Sequence, residues 1–200
     1  MLEEVIIKAR GGDDRIFDVI FEKEDRENLD MSQIKFENVI FHKCRFVNCL
    51  FEKAAFYNSV FEECDLSGCN FTAVYWKASK IVGSKGSNSN FKLCTFKNFE
   101  LIESKFHYGN FINSLWEAAK ITKCELPESC LAETKFRSVL FSNSNLKRVD
   151  FFKTVLKGIN LSNCNIEGLM VSDTYYELKG LRVNAMQAVD LSLLLGIKVV

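Results

Sequence analysis

The chain has little of what usually reveals a function. It contains one proline and two histidines in 200 residues, and its 26 basic and 26 acidic side chains cancel. A net charge of zero gives no overall field to attract nucleic acid or an anionic membrane. No apolar run approaches the roughly 18 residues that cross a bilayer. The acidic start, Met1 to Glu4, lacks the basic and apolar regions of a signal peptide. We therefore expect a cytoplasmic protein without membrane contact.

Motifs that carry catalysis or hold cofactors are also lacking. The sequence has no glycine-rich dinucleotide pattern and no P-loop. His42 and His107 have no candidate nucleophile or metal-ligand partner, and the carboxylates are scattered. The eight cysteines include no Cys-x-x-Cys pair, the spacing typical of zinc and redox sites. We expect no catalytic, cofactor-binding or metal-binding residues, and a protein that is not an enzyme.

What the sequence does contain is a large residue at every fifth position. From Phe21 to Leu181, 31 of the 33 positions whose numbers end in 1 or 6 are large and apolar or aromatic; Arg26 and Gly86 are the exceptions. Neither a helix nor a strand has a period of five. We expect a chain that turns a corner every five residues and stacks its coils about 4.8 Å apart around these side chains.

The residue two positions before each large one is usually small. Seven of the eight cysteines occupy this position, where alanine, serine and valine also occur. Free cysteine is among the most frequently buried residue types. We therefore interpret these cysteines as buried thiols, and a metal or redox role is the minor alternative.

This pattern resembles the pentapeptide-repeat family, whose consensus is Ala-(Asp/Asn)-Leu-x-x. Close matches begin at Cys64, Ser144 and Ile159. The resemblance covers residues 19–183 and implies an all-β fold, a right-handed quadrilateral parallel β-helix with four pentapeptides per coil and about eight coils. The glycine-rich segment 82–89, where Gly86 replaces a large residue, predicts an interruption: a local bulge, a missing core ring or a bend.

Both ends depart from the repeat. Residues 1–18, with a polar turn at 11–14, are predicted to form a cap or a hairpin on the first coil. In residues 184–200, Asn184 can cap a helix and Gly196 suits its end, with a short strand following at 197–200. This tail resembles the C-terminal segment of the quinolone-resistance group, which implies a capping helix and a two-fold homodimer. The predicted dimer interface is Met186, Val189, Leu191, Leu193, Leu194, Leu195, Ile197 and Val199.

Two outward-facing sets of residues are candidate binding surfaces. One is a basic stripe, interrupted by Glu117, for which a solvated face is the alternative interpretation: Lys77, Lys97, Arg137 and Lys157. The other is an apolar surface patch that we expect the N-terminal segment or a partner to cover: Ile40, Val60, Val82, Ile102 and Leu140.

The leading hypothesis is a non-catalytic protein-interaction scaffold whose partner the sequence does not name. As an alternative, the chain resembles the quinolone-resistance group without its inserted loops. That resemblance implies binding to DNA gyrase or topoisomerase IV as a mimic of DNA. Nucleic-acid binding through the basic stripe is a second alternative, which the zero net charge does not favour.

Overall fold

The chain forms a parallel β-solenoid, in a computed structural model that describes residues 1–198. Sixteen three-residue strands lie on three of its four faces. Seven strands form the first sheet: β1 Arg15–Phe17, β4 Lys35–Glu37, β7 Ala55–Tyr57, β9 Tyr75–Lys77, β11 Thr95–Lys97, β13 Leu115–Glu117 and β15 Lys135–Arg137. Seven form the second: β2 Ile20–Glu22, β5 Ile40–His42, β8 Val60–Glu62, β10 Lys80–Val82, β12 Glu100–Ile102, β14 Lys120–Thr122 and β16 Leu140–Ser142. The third face contains β3 Asp25–Glu27 and β6 Arg45–Val47 and continues, like the fourth, as single parallel bridges.

Neighbouring strands pair at an offset of one coil, so that equivalent residues lie above one another. Phe36 pairs with Phe56, for example, in a parallel register. Their rings stack with centroids 4.8 Å apart, and those of Phe51 and Phe71 stack 4.7 Å apart. The ring spacing therefore equals the strand spacing of a sheet, which lets the aromatic columns and the backbone ladders repeat together.

The corners explain why asparagine follows so many of the large residues. Asn38, Asn58 and Asn98 have φ values of 54°, 49° and 48°. Asparagine adopts this left-handed conformation more readily than most side chains. A corner of this kind after each three-residue strand turns the chain onto the next face.

The regular part of the stack is shorter than expected. Seven strands in each long sheet span about six turns, against the about eight coils predicted from the repeat. Strand pairing on these two faces stops at β15 and β16, although bridges continue on the other faces as far as Asp150 opposite Met170. On these two faces the backbone after residue 154 adopts tight turns in place of extended segments. The five-residue spacing of large residues therefore continues beyond the last strand that pairs.

The predicted bulge at Gly86 does not form. Lys85 bridges both to Asp65 and to Lys105, so the ladder passes through this point without a break. The predicted missing ring is replaced from the next coil. A Cβ atom on Gly86 would lie 2.3 Å from Cε1 of Phe106, so that ring occupies the space above the glycine. Phe99, in a position that usually holds a small residue, is also buried in this region.

The N-terminus is helical: of the predicted cap or hairpin, the hairpin does not form, and a helix lies on the first coil. Helix α1, Leu2–Arg10, buries Leu2, Ile6 and Ala9 against the first coil. Their spacing of four and three residues is a helical stripe. Acidic residues lie in its first turn and basic residues in its last, which complements the helix dipole.

A second helix, α2, Ala185–Leu194, follows the last coil, after a 3-10 turn at Tyr176–Leu178. Asn184 and Gln187 form a reciprocal capping box at its start. The predicted strand at 197–200 is not present at residues 197 and 198, and Val199 and Val200 lie outside the described residues. Neither α1 nor α2 has the length and apolar character needed to cross a membrane.

Candidate interaction surfaces

The interior of the solenoid is filled, so the side chains available to a partner lie on the outside. In each strand the central residue points inward and its two neighbours point outward, as in β5, where Phe41 is fully buried between half-buried residues. The space enclosed beside Phe99 and Phe106 measures about 10 Å³, roughly the volume of one water-sized probe.

The basic stripe exists as a column on the first sheet, but an acidic residue divides it. Lys77 lies opposite Lys97, and Lys97 lies opposite Glu117. The Glu117 carboxylate is 3.9 Å from Lys97 Nζ and 3.7 Å from Arg137 Nη1. Glu117 thus pairs with a cation on either side, and the positive charge of the column is partly neutralised.

Similar ion pairs between successive coils occur elsewhere on the surface. Lys85 lies 3.0 Å from Asp65, Lys120 lies 3.0 Å from Glu100, and Lys147 lies 2.9 Å from Glu167. Exposed pairs of this kind contribute only about 0.2–1 kcal/mol each to stability. They also place positive and negative charges next to one another along the surface.

The predicted apolar patch is only partly continuous. On the outward face of the second sheet, Ile40 lies next to Val60 at the start of the strands, and Val82 lies next to Ile102 at their end. Leu140 is separated from them, because its neighbour is Lys120. The residues that do adjoin form a diagonal apolar band: Ile20, Ile40, Val60, Val82 and Ile102.

Ile20 was missed by the sequence analysis, although its position one coil before Ile40 could have revealed it. It lies opposite Ile40 and is 60% exposed. The N-terminal segment therefore leaves this end of the band open, contrary to one of our two expectations. Helix α1 packs instead against the first coil beside β1.

The C-terminal helix presents apolar side chains to solvent. Gln187 fixes its inner side, because Nε2 donates to the carbonyl oxygens of Leu161 (3.0 Å) and Cys164 (2.6 Å). Leu191 packs against the core cluster. The other described residues of the predicted dimer interface are exposed: Met186, Val189, Leu193, Leu194, Leu195 and Ile197.

Seven of the eight cysteines are buried, which confirms the interpretation of their position; Cys130 is half-buried. Six of these seven thiols donate to a carbonyl oxygen of the preceding coil, as Cys94 does to Phe71 at 2.9 Å, and the Cys164 thiol contacts Oδ1 of Asn163 instead. Burial raises the pKa of the Cys124 thiol to about 11. Over residues 1–198 no three His, Cys, Asp or Glu side chains are grouped as metal ligands. Nδ1 of His42 lies 3.1 Å from Glu62, and His107 lies on a different face.

A cleft beside β15 was not foreseen from the sequence. It has a volume of about 620 Å³ where the coil after residue 154 separates from the first sheet. We call it the basic cleft and define it by its lining residues: Asn113, Glu133, Thr134, Lys135, Phe136, Arg137, Lys153, Val155 and Lys157. No sequence signal marks it, because the large residues continue through Leu156 without a change of period.

Sequence profiles of one family match most of the solenoid. A profile of the pentapeptide repeat region matches residues 54–131, and a profile of eight pentapeptide repeats matches residues 34–72 and 129–168. Together they span 34–168, more than half of the chain. No curated protein shows significant sequence similarity.

Solved structures with the same fold include full-length QnrB1, described as a plasmid-mediated fluoroquinolone resistance protein. It is 18% identical, with 90% of this chain and 100% of that chain covered and a TM-score of 0.52. HetL from the cyanobacterium Nostoc sp. strain PCC 7120, a pentapeptide repeat protein involved in heterocyst differentiation regulation, is 11% identical. The match covers 90% of this chain and 93% of HetL, with a TM-score of 0.33. At 18% identity, the likeness to QnrB1 shows the fold.

Proposed function

Because the chain belongs to the pentapeptide-repeat family, we propose that it acts without catalysis, as a homodimeric module that binds another protein along its solenoid. The proposal rests on the apolar surface of helix α2 at the C-terminal end of the solenoid. Helix α2 is fixed by Gln187 on its inner side and exposes Leu193, Leu195 and Ile197 to more than half of their full extent on the other. Large apolar side chains grouped in this way are typical of an interface.

A second copy of the chain is the occupant that best suits this end. Dimers with two-fold symmetry use the same surface on both subunits, and a terminal helix can meet its own equivalent without blocking the sides of the rod. An apolar groove of about 270 Å³ beside α2, lined partly by Leu178, Leu181 and Leu191, can receive side chains from the second helix. Dimerisation at the end leaves the four long faces free for a partner.

Sedimentation velocity tests the dimer. We expect wild-type protein to sediment as a dimer over roughly 1–50 µM and Leu193→Asp to sediment as a monomer. Leu93→Asp is the matched control, because Leu93 has a similar exposure but lies in the middle of the solenoid. Wild-type protein that remains monomeric across this range, or a dimer that Leu193→Asp leaves intact, would refute the proposal.

Binding to a type II topoisomerase is a second candidate. It is favoured by the similarity to QnrB1 over that protein's whole length, together with its description as a fluoroquinolone resistance protein. The paired charges of Lys85, Lys120 and Lys147 with carboxylates on neighbouring coils give an alternating surface, whereas a mimic of DNA presents continuous negative charge.

A supercoiling assay with DNA gyrase, with and without ciprofloxacin, tests this candidate. If the protein protects gyrase, supercoiling in the presence of the drug will recover as protein is added, and Leu193→Asp will act more weakly. If micromolar protein neither inhibits gyrase nor restores its activity, topoisomerase binding is excluded and the dimeric module remains.

A further inference from the structure

The first and second sheets end before the last coil, so each has an open edge partway along the solenoid. Strand β15 pairs with β13, and β16 pairs with β14, but neither pairs with the following coil anywhere in residues 1–198. On the third and fourth faces the same two coils remain bridged, at Asn145 with Asn165 and at Asp150 with Met170. The last coil is therefore joined along two faces and separated along the other two.

The separation has a local cause in the backbone. Residues 155–158 end in a turn at Lys157 and Gly158, where φ of Gly158 is +82°, and do not form the extended segment found in the seven coils before. Their hydrogen bonds run to the C-terminal segment instead. Leu156 N–H donates to Glu177 O (3.1 Å), and Gly158 N–H donates to Gly180 O (2.8 Å).

The edge of β15 keeps unused backbone groups. One coil earlier, Ala118 N–H donates to Arg137 O at 2.9 Å. The equivalent donor, Ser138 N–H, has no backbone acceptor in the described part of the chain. Phe136 is partly exposed, whereas Phe36 and Phe56 in the same column are fully buried. Unpaired strand edges are ready to pair with another chain.

Charge in the basic cleft has one predominant sign. Four cationic side chains line it, Lys135, Arg137, Lys153 and Lys157, with Glu133 the acidic residue among them. Glu133 lies 3.7 Å from Lys153 Nζ. Within residues 1–198, Lys135 and Lys157 have no carboxylate within 4.0 Å, so two positive charges are free to bind an anion.

We propose that the basic cleft binds an extended acidic segment of a partner protein, which adds as a strand to the edge of β15. This proposal rests on the proposed interaction function and specifies the partner's chemistry. Side chains of a strand alternate between its two faces. In register with β15, the middle residue of the segment lies on Phe136, and its two neighbours point outward beside Lys135 and Arg137. The segment that fits is therefore acidic, large apolar, acidic.

The backbone edge distinguishes a peptide from a nucleic acid. Addition of a strand to a sheet takes its affinity from main-chain hydrogen bonds and its specificity from alternate side chains. A phosphate backbone would satisfy the lysines but would offer no N–H groups to the free carbonyl oxygens of the edge and no apolar side chain to Phe136.

Fluorescence anisotropy with the full-length protein tests the proposal. The probe is a fluorescein-labelled peptide, Gly-Ser-Asp-Leu-Glu-Ser-Gly, and its controls replace both acids with lysine or N-methylate the backbone of the aspartate, leucine and glutamate. We expect saturable micromolar binding, weakened about tenfold or more by Lys135→Glu with Lys157→Glu and by either peptide change. Lys53→Glu, an exposed lysine on another coil, should leave binding unchanged. Hydrogen exchange should show new protection at residues 134–138.

Three results would overturn the proposal: no saturable binding, equal binding of the N-methylated peptide, or displacement of the peptide by a short DNA duplex at lower concentration. The monomeric variant Leu193→Asp should bind the peptide as wild type does. Failure of peptide binding with an intact dimer therefore rejects the cleft alone, whereas a monomeric wild type that binds the peptide rejects the dimer alone.

Discussion

The substitution Gly86→Ala should destabilise the protein, although replacing glycine by alanine at a compatible site usually stabilises. The backbone at Gly86 lies outside the left-handed region, so alanine brings no backbone strain. The cost is steric. A new Cβ would lie 2.3 Å and 2.8 Å from two atoms of the Phe106 ring and 3.0 Å from Ser89 Oγ. An ordinary contact needs at least about 3.4 Å, so the ring must move by about 1 Å in a close-packed core.

The free space beside this ring is about 10 Å³, too little to accept it. Overpacking of this kind costs about 1–3 kcal/mol, and leucine at the same position should cost more than alanine. For a chain of this length, 2 kcal/mol corresponds to a fall in Tm of roughly 4–8 °C. Gly12→Ala is the matched control, because its new Cβ would meet no atom closer than 3.7 Å, and its effect should stay within about 0.5 kcal/mol.

Urea unfolding followed by tryptophan fluorescence and circular dichroism measures the change. A second substitution, Phe106→Leu, removes the ring, so the double variant should be more stable than the sum of the single effects predicts. For residues in contact the coupling is about 0.5–3 kcal/mol. An alanine variant at least as stable as wild type, or strictly additive effects in the double variant, would refute the idea that Phe106 fills the position of the missing side chain.

Three further outcomes are expected. Burial opposes ionisation of Glu177, but hydrogen bonds from backbone N–H groups and the Ser172 hydroxyl lower the pKa of its carboxyl below 4.5; this stabilisation is complete above pH 4.5 and lost as pH falls through the lowered value. Glu177→Gln should cost about 1–2 kcal/mol at pH 7 and little in acid, as measured by urea unfolding at both pH values. Iodoacetamide should modify half-buried Cys130 before the other seven cysteines, as peptide mass spectrometry would show; prior labelling of a buried thiol contradicts this. Gln187→Ala should lower stability by about 2 kcal/mol by leaving the Cys164 carbonyl oxygen and the Asn184 N–H without their partner, and an unchanged urea midpoint would contradict the role assigned to that side chain.

Five-residue periodicity determined the position of almost every core residue. Each large residue lies at the centre of its pentapeptide. It faces inward because of the chain's corners on either side, and the conformation of a corner depends on residues that are adjacent in the sequence. Phe36, Phe56 and Trp76 are buried as their positions predict, and the cysteines two residues before a large one lie in the same core. These properties follow from a few neighbouring residues, so the sequence alone was sufficient.

The five-residue periodicity did not determine which side chains contact one another between coils. Replacement of the missing side chain at Gly86 depends on a ring 20 residues later. The sequence places Glu117 within the basic stripe, but only the structure shows that it pairs with a cation on each side. The helical stripe of residues 2, 6 and 9 was present in the sequence, but the polar turn after it favoured a hairpin. Only packing against the first coil shows which face of that segment is buried.

The sequence by itself determined the fold, the core and the apolar C-terminal segment. Tertiary structure decided where the stack opens. Pairing of two coils requires extended backbone in both at positions 20 residues apart, and the turn at residues 157–158 breaks this condition while Leu156 still keeps the period. The spacing of large residues predicts which side chains point inward. Backbone hydrogen bonds between coils depend in addition on the conformation of the neighbouring coil. The basic cleft exists because, after residue 154, large residues such as Leu156 still point inward while the backbone no longer pairs with the first sheet.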